Sequence, residues 1–275
     1  MNTPRKREAA SALDPDRFAV FGSWRRIWAV ASINGRRKDL VALHDILFDR
    51  FRFGDRLVYL GNYLGDGEDP AGTLDELIAF RRAILAMRGM APGDIVFLRG
   101  SQEEMWHRLQ QLHLAVDAPG VLAWMLDHGI SGAIESYGHS ADQGLQAAGR
   151  GTQALMTWTT RLREAMHRRP GHDALMSHLK RACLTADRTL LFVHAGLDPG
   201  RPLEIQSDAF WWNPGGFHAL SKPYGNIRYV VRGFDPDQRG VDIGDYRASL
   251  DGGTQRSLVA GCFDSQARLV DRIDM

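Results

Sequence analysis

The sequence predicts one α/β domain with helices packed on a sheet or sandwich, and three observations predict it. Short apolar runs of strand length end at glycine-containing turns, and apolar residues at helical spacing follow them. A long helical middle separates these units from a second set of strands. The 275 residues carry no internal repeat or low-complexity linker, and 44% hydrophobic with 24% charged residues is an ordinary globular mixture. A chain of this length can bury a full core.

Trp28 to Ile33 reads as a strand and Asn34-Gly35 as its exit turn. Leu40, Leu43, Ile46 and Leu47 then mark one face of a helix. Arg56 to Leu60 is the next strand, a loop from Gly61 to Gly72 follows, and Leu74 to Phe80 is helical. Asp94 to Leu98 is a third strand, and a helix from Gln102 to Ala115 buries Met105, Leu109 and Leu112. Residues 117–186 read as a mainly helical insertion, with Ser131 to Gly151 irregular because it is rich in Gly, Ser and Ala. Strands return at Thr189 to His194 and Ile227 to Val231. Arg247 to Arg272 alternates like closing antiparallel strands, with turns at Asp251-Gly252-Gly253 and Asp264-Ser265. Residues 1–22 are expected to be a flexible basic arm and 23–275 the domain.

Composition excludes several classes. Lys and Arg total 34 against 33 Asp and Glu, a balance that gives no electrostatic reason to expect nucleic acid. No apolar run reaches the roughly 18 residues of a membrane span, and no apolar segment follows the basic start, so neither a membrane partner nor secretion is expected. Cys183 and Cys262 are too few for a disulfide scaffold or a cysteine-rich zinc site and fit a reducing, cytoplasmic setting. Ten His and 33 acids leave an ample stock of metal ligands. Whether they stand where a metal needs them is a matter of position.

Five strand ends share one design, an apolar strand and then polar residues beside glycine. They are Ser32/Asn34/Gly35, Gly61/Asn62, Gly100/Ser101/Gln102, His194/Gly196 and Gly233/Phe234. Ligand sites in open α/β sheets gather beyond the carboxyl ends of strands, so a shared pocket is one reading. Ordinary strand-exit turns, which favour Gly, Ser and Asn, are the other.

The order of these segments resembles the calcineurin-like metallophosphoesterases, in particular their bacterial serine/threonine protein phosphatase branch. Where that family has Asp-x-His-Gly, this chain has Ser32-Ile33-Asn34-Gly35. Its Gly-Asp-x-x-Asp-Arg-Gly corresponds to Gly61-Asn62-Tyr63-Leu64-Gly65-Asp66-Gly67, and its Arg-Gly-Asn-His-Glu to Arg99-Gly100-Ser101-Gln102-Glu103. Val193-His194-Ala195-Gly196 matches Val-His-Ala-Gly in full, and Gly233-Phe234-Asp235-Pro236 stands for Gly-His-Thr-Pro. Weaker likenesses at Trp124 to Gly138, Ser207 to Trp211 and Leu250 to Gly253 keep the same order, so the resemblance spans roughly residues 24–265.

The resemblance implies a β-sandwich of mixed sheets flanked by helices, in four layers α/β/β/α, and a pair of divalent metals about 3.5–4 Å apart that activate water. The six ligand positions it assigns read Ser32, Asn34, Asn62, Ser101, His194 and Phe234, and only His194 keeps the family's residue. The general-acid histidine is Gln102, which has no proton to give a leaving alkoxide. The phosphate-binding arginine of the second motif is Asp66, an inverted charge, while Arg99 is retained. Losing even a supporting group around a metal commonly costs about 10–100-fold in affinity, so five lost ligands imply no metal, no cofactor and no catalytic residue.

A chain that keeps the turns and drops the donors reads as a pseudophosphatase that binds a protein partner or a phosphorylated ligand. Arg36 and Arg99 are the candidate phosphate contacts, with Arg37, Lys38 and Arg232 nearby or the whole cluster merely solvated. Two other readings stay open: an active phosphoesterase with one metal held by relocated acids such as Asp66 or Asp235, and a scaffold that uses another face. Of Trp211 and Trp212, one ring is expected in the core and one over a loop.

Overall fold

Alternation along β2 (Arg26–Val30), after β1 (Phe18–Phe21), fixes the layering of the computed structural model, which describes residues 13–212 and 215–275. Ile27 and Ala29 enter a core between two sheets, while Trp28 and Val30 enter a second core under helices. Such two-sided burial is what a side-chain period of two gives a strand covered on both faces.

Three strand–helix units follow in register. They comprise α1 (Arg37–Arg50), β3 (Asp55–Tyr59), α2 (Pro70–Leu85), β4 (Ile95–Phe97) and α3 (Ser101–Leu109). The helical insertion contributes α4 (Ala118–Asp127), α5 (Ser131–Ser136), α6 (Ala141–Gly149), α7 (Thr152–His167) and α8 (His172–Ser177). Beyond it come β5 (Ala182–Thr185), β6 (Leu190–Val193), α9 (Ala209–Trp212), α10 (Gly215–His218) and β7 (Tyr229–Arg232). The chain closes with β8 (Asp242–Ile243), β9 (Arg247–Ser249), β10 (Val259–Asp264) and β11 (Leu269–Asp274).

One sheet has the order β11-β10-β2-β3-β4 and the other β1-β5-β6-β7-β9-β8, and both mix parallel with antiparallel pairs. The expected sandwich of mixed sheets flanked by helices is the observed architecture. Local chemistry explains the helix starts. Asp69 caps α2 by accepting the Gly72 amide at 2.8 Å, with Pro70 at the first helical position. The basic start of α1 has no side-chain cap of its own, but Glu68 accepts the Lys38 amide at 3.1 Å and brings the anion a helix N-terminus favours.

Four expectations need correction. The arm does not extend to residue 22, because Phe18–Phe21 pairs parallel with β5; residues 1–12 lie outside the described residues. Residues 131–151 are not irregular but hold α5 and α6. There the small residues are packing residues: a methyl on Gly144 would meet the Trp158 ring at 2.7 Å. The helical insertion ends before 186, since Ala182–Thr185 is β5. The turn at Asp251 does not join an antiparallel pair, since β9 lies in one sheet and β10 in the other.

Two histidines serve the core. Tyr59, His44 and Glu76 form a chain of hydrogen bonds at 2.8 and 2.6 Å, and Tyr137, His172 and Asp75 form another at 2.7 and 3.0 Å. Burial lowers the pKa of both imidazoles, as desolvation disfavours the charged form.

Candidate functional site

Loops from both sheets converge at the carboxyl ends of β2, β3, β4, β6 and β7. Backbone hydrogen bonds stitch them together: Ser32 N donates to Gly233 O at 3.1 Å, Ile33 N to Asn62 O at 3.0 Å, and Phe234 N to His194 O at 3.0 Å. Glu103, on the first turn of α3, does more. Its fully buried carboxylate accepts the amides of Asn62, Tyr63, Leu64 and Gly100 at 2.8–3.1 Å. Burial raises its pKa, against the pull of those four donors. Asn34 and Asn62 both adopt left-handed backbone, φ 54° in each case, a conformation asparagine tolerates better than most residues.

The loops enclose a cavity of about 790 Å³. Ser32, Asn34, Asn62, Asp66, Ser101, Gln102 and Phe234 all line it. His194 does not line the cavity. It is fully buried behind it, Nδ1 hydrogen-bonded to the Leu60 carbonyl at 2.7 Å and Nε2 without a partner. Its ring stacks on Phe234, with centroids 5.1 Å apart and planes 9° from parallel, and burial pulls its pKa down to about 4.

The two candidate phosphate contacts part company. Arg36 lines the cavity, with its guanidinium on the Ile33 carbonyl at 3.2 Å and on Asp39 at 3.3 Å. Arg99 does not line it; it pairs with Glu104 at 3.2 Å and faces a separate cavity of about 220 Å³. Arg232, unlike these two, is fully buried, bound to Asp235 at 2.6 Å and packed over the Phe217 ring. Arg256, which sequence reasoning missed, lines the cavity and holds Asp66 at 3.0 Å. No local motif announces that pair, because 190 residues separate its members.

The donor set does not fit a pair of divalent metals. The ligand positions offer no carboxylate, and their single imidazole is engaged on one nitrogen and stacked on Phe234. Relocated acids do not replace them: Asp66 is paired with Arg256, Asp235 with Arg232, Glu68 with the α1 amide, and Asp69 caps α2. Among the described residues no three His, Cys, Asp or Glu side chains converge to hold a metal ion. Trp211 and Trp212 both line the cavity, Trp211 buried and Trp212 half-buried.

No protein-family model and no curated protein matches the chain. Among solved structures, one provisionally assigned as a diadenosine tetraphosphatase aligns over 94% of this chain and 97% of its own, with a TM-score of 0.52 at 16% identity. A serine/threonine phosphatase from Saccharomyces cerevisiae aligns over 94% and 82% (TM-score 0.46, 12% identity). A metallophosphoesterase from Sphaerobacter thermophilus aligns over 91% and 86% (TM-score 0.40, 15% identity). The fold is that of the calcineurin-like metallophosphoesterases. Among the described residues no helix is long and apolar enough to cross a membrane, and both cysteines are free and buried.

Proposed function

We propose that the chain is a catalytically inactive phosphatase-like protein, a pseudophosphatase, which binds a protein partner or a phosphorylated ligand at this cavity without hydrolysing it. The observation that carries the reading is the Phe234 ring stacked on His194 where the resemblance assigns the last metal-binding histidine. A phenyl ring has no lone pair for a cation and fills the volume one would need. The ion pairs that occupy the neighbouring acids support the same reading. Near-balanced charge supports a partner other than nucleic acid, and unpaired cysteines support a cytoplasmic location.

The test is turnover of p-nitrophenyl phosphate and of a phosphoserine peptide with Mn²⁺ supplied, alongside elemental analysis of the purified protein. No hydrolysis above buffer, with metal far below one equivalent, is expected. Hydrolysis that rises with bound metal would sink the proposal.

A further inference from the structure

We infer that the free edge of β1 takes up an extended, acidic peptide segment of a protein partner as an added strand. β1 is the terminal strand of its sheet and pairs with β5 alone, and β4 is terminal in the other sheet. Both border a groove of about 690 Å³, β1 through Phe18, Ala19 and Val20 and β4 through Ile95, Val96 and Phe97. The groove shares no lining residue with the cavity at the strand carboxyl ends. Successive side chains of a strand point to opposite faces, so a groove that meets three residues in a row runs along the strand's edge. The register shows what that edge offers. The Arg17 and Phe21 carbonyls turn towards β5 and accept the Arg181 and Ala186 amides at 2.7 and 2.9 Å. Peptide groups alternate in direction along a strand, so the N–H and C=O of Val20 turn away from β5, to the side where the sheet has no further strand. Val20 itself is 50% exposed. A donor and an acceptor on an open edge are a template for another strand.

Charge names the occupant. The open wall of the groove is apolar, with Val20, Pro92 and Ala174 exposed and Ala19 and Ile78 half-buried. Three cations, Arg81, Arg82 and Lys180, line it and no acid does. Arg81 and Arg82, near the end of α2, form no ion pair among the described residues. Lys180 Nζ donates only to main-chain carbonyls, of Pro15 at 2.8 Å and Asp16 at 3.3 Å. A segment that alternates apolar with acidic side chains answers both features, its main chain pairing at Val20 and its carboxylates meeting the arginines. A second copy of this chain would bring the same cations against them, since a two-fold contact sets a patch against itself. Nucleic acid would meet the charge but has no strand to pair with the edge.

The test is selection of a random heptapeptide library, displayed on phage, against the immobilised full chain, followed by fluorescence anisotropy with the selected peptides. Sequences that alternate apolar residues with Asp or Glu are expected, with affinity that falls as salt rises. Val20→Pro removes the outward N–H where an edge strand tolerates proline, and should weaken these peptides about fivefold. The double variant Arg81→Glu, Arg82→Glu leaves the strand alone and should weaken them about tenfold at low salt. It alters only the rim, so the outcome stands even where Val20→Pro does not fold, which circular dichroism reports. No enriched peptide, enrichment without acidic residues, or binding that either folded variant leaves unchanged overturns the inference. So does a dimer in light scattering that Val20→Pro abolishes, because the occupant of the edge is then a second copy.

Discussion

Arg256 grips Asp66 from 190 residues away, Nη2 on Oδ1 at 3.0 Å and Nη1 on Oδ2 at 3.1 Å, at the rim of the cavity. The pair inverts the charge order expected for phosphate binding, since the acid stands where the resemblance assigns an arginine and the arginine comes from the far end of the chain. Both side chains are about half exposed, so Asp66→Asn should change stability by less than about 1 kcal/mol in urea unfolding. It should also free a cation and raise the affinity for inorganic phosphate in calorimetry. A loss of several kcal/mol, or no gain in phosphate binding, would mean that the pair braces the loop and does not control charge at the rim.

Glu103 carries a far larger share of stability. Removing its carboxylate strands four amides, at Asn62, Tyr63, Leu64 and Gly100. Each buried unpaired group costs about 1–3 kcal/mol, so Glu103→Ala should destabilise by roughly 4 kcal/mol or more. Glu103→Gln, which keeps one acceptor oxygen, should fall between. Equal stabilities for the two variants would contradict this account of the loops.

His194 should give the protein a measurable acid sensitivity. Burial holds its imidazole neutral down to about pH 4, whereas in the unfolded chain it protonates near its ordinary value of 6.5. Between those values the unfolded state binds more protons, so stability rises with pH across the interval. The contribution is complete above about pH 6.5 and lost as pH falls towards 4, a span worth roughly 3 kcal/mol. Urea unfolding at steps from pH 7 to 4 should show His194→Gln flatter than the native chain by about that amount. Parallel curves would place the acid sensitivity elsewhere.

Metal binding should need wholesale restoration. Phe234→His alone adds one imidazole beside the single surviving one, with no carboxylate, and is expected to hold no Mn²⁺ in calorimetry. Adding Ser32→Asp, Asn34→His, Asn62→Asp and Ser101→Asn rebuilds the ligand set the resemblance implies, on a backbone whose turns are intact. That fivefold variant is expected to bind metal. Tight binding by the single variant would show that the pocket lacks less than its donor set indicates.

What could be read from the sequence was whatever depends on short-range pattern. Strand ends followed by Gly, Ser and Asn marked the pocket, because strand exits are local and their order matched a known series. Arg256 and Glu103 were not legible in their roles, since Arg256 acts on a group 190 residues away and three of the four amides on Glu103 lie 39–41 residues away. Arg99 was misplaced for a related reason: the motif that retains it does not reveal that Glu104 draws its guanidinium to another face. β1 was absorbed into the arm because four residues of strand beside a basic terminus give little periodicity. The Ala- and Gly-rich stretch of α6 looked loose, although its small side chains let Trp158 pack closely.

The amide clamp of Glu103 separates the shape of the rim from what the rim binds. A loop shaped by the ion it carries loses its form with the ion, and mutations at its ligands are punished twice, in chemistry and in folding. Here the loops after β3 and β4 are tied from beneath by Glu103, whose carboxylate is engaged by four backbone amides. The positions above it can therefore be exchanged without cutting that tie, so a binding surface can be rewritten residue by residue on a rim that keeps its shape.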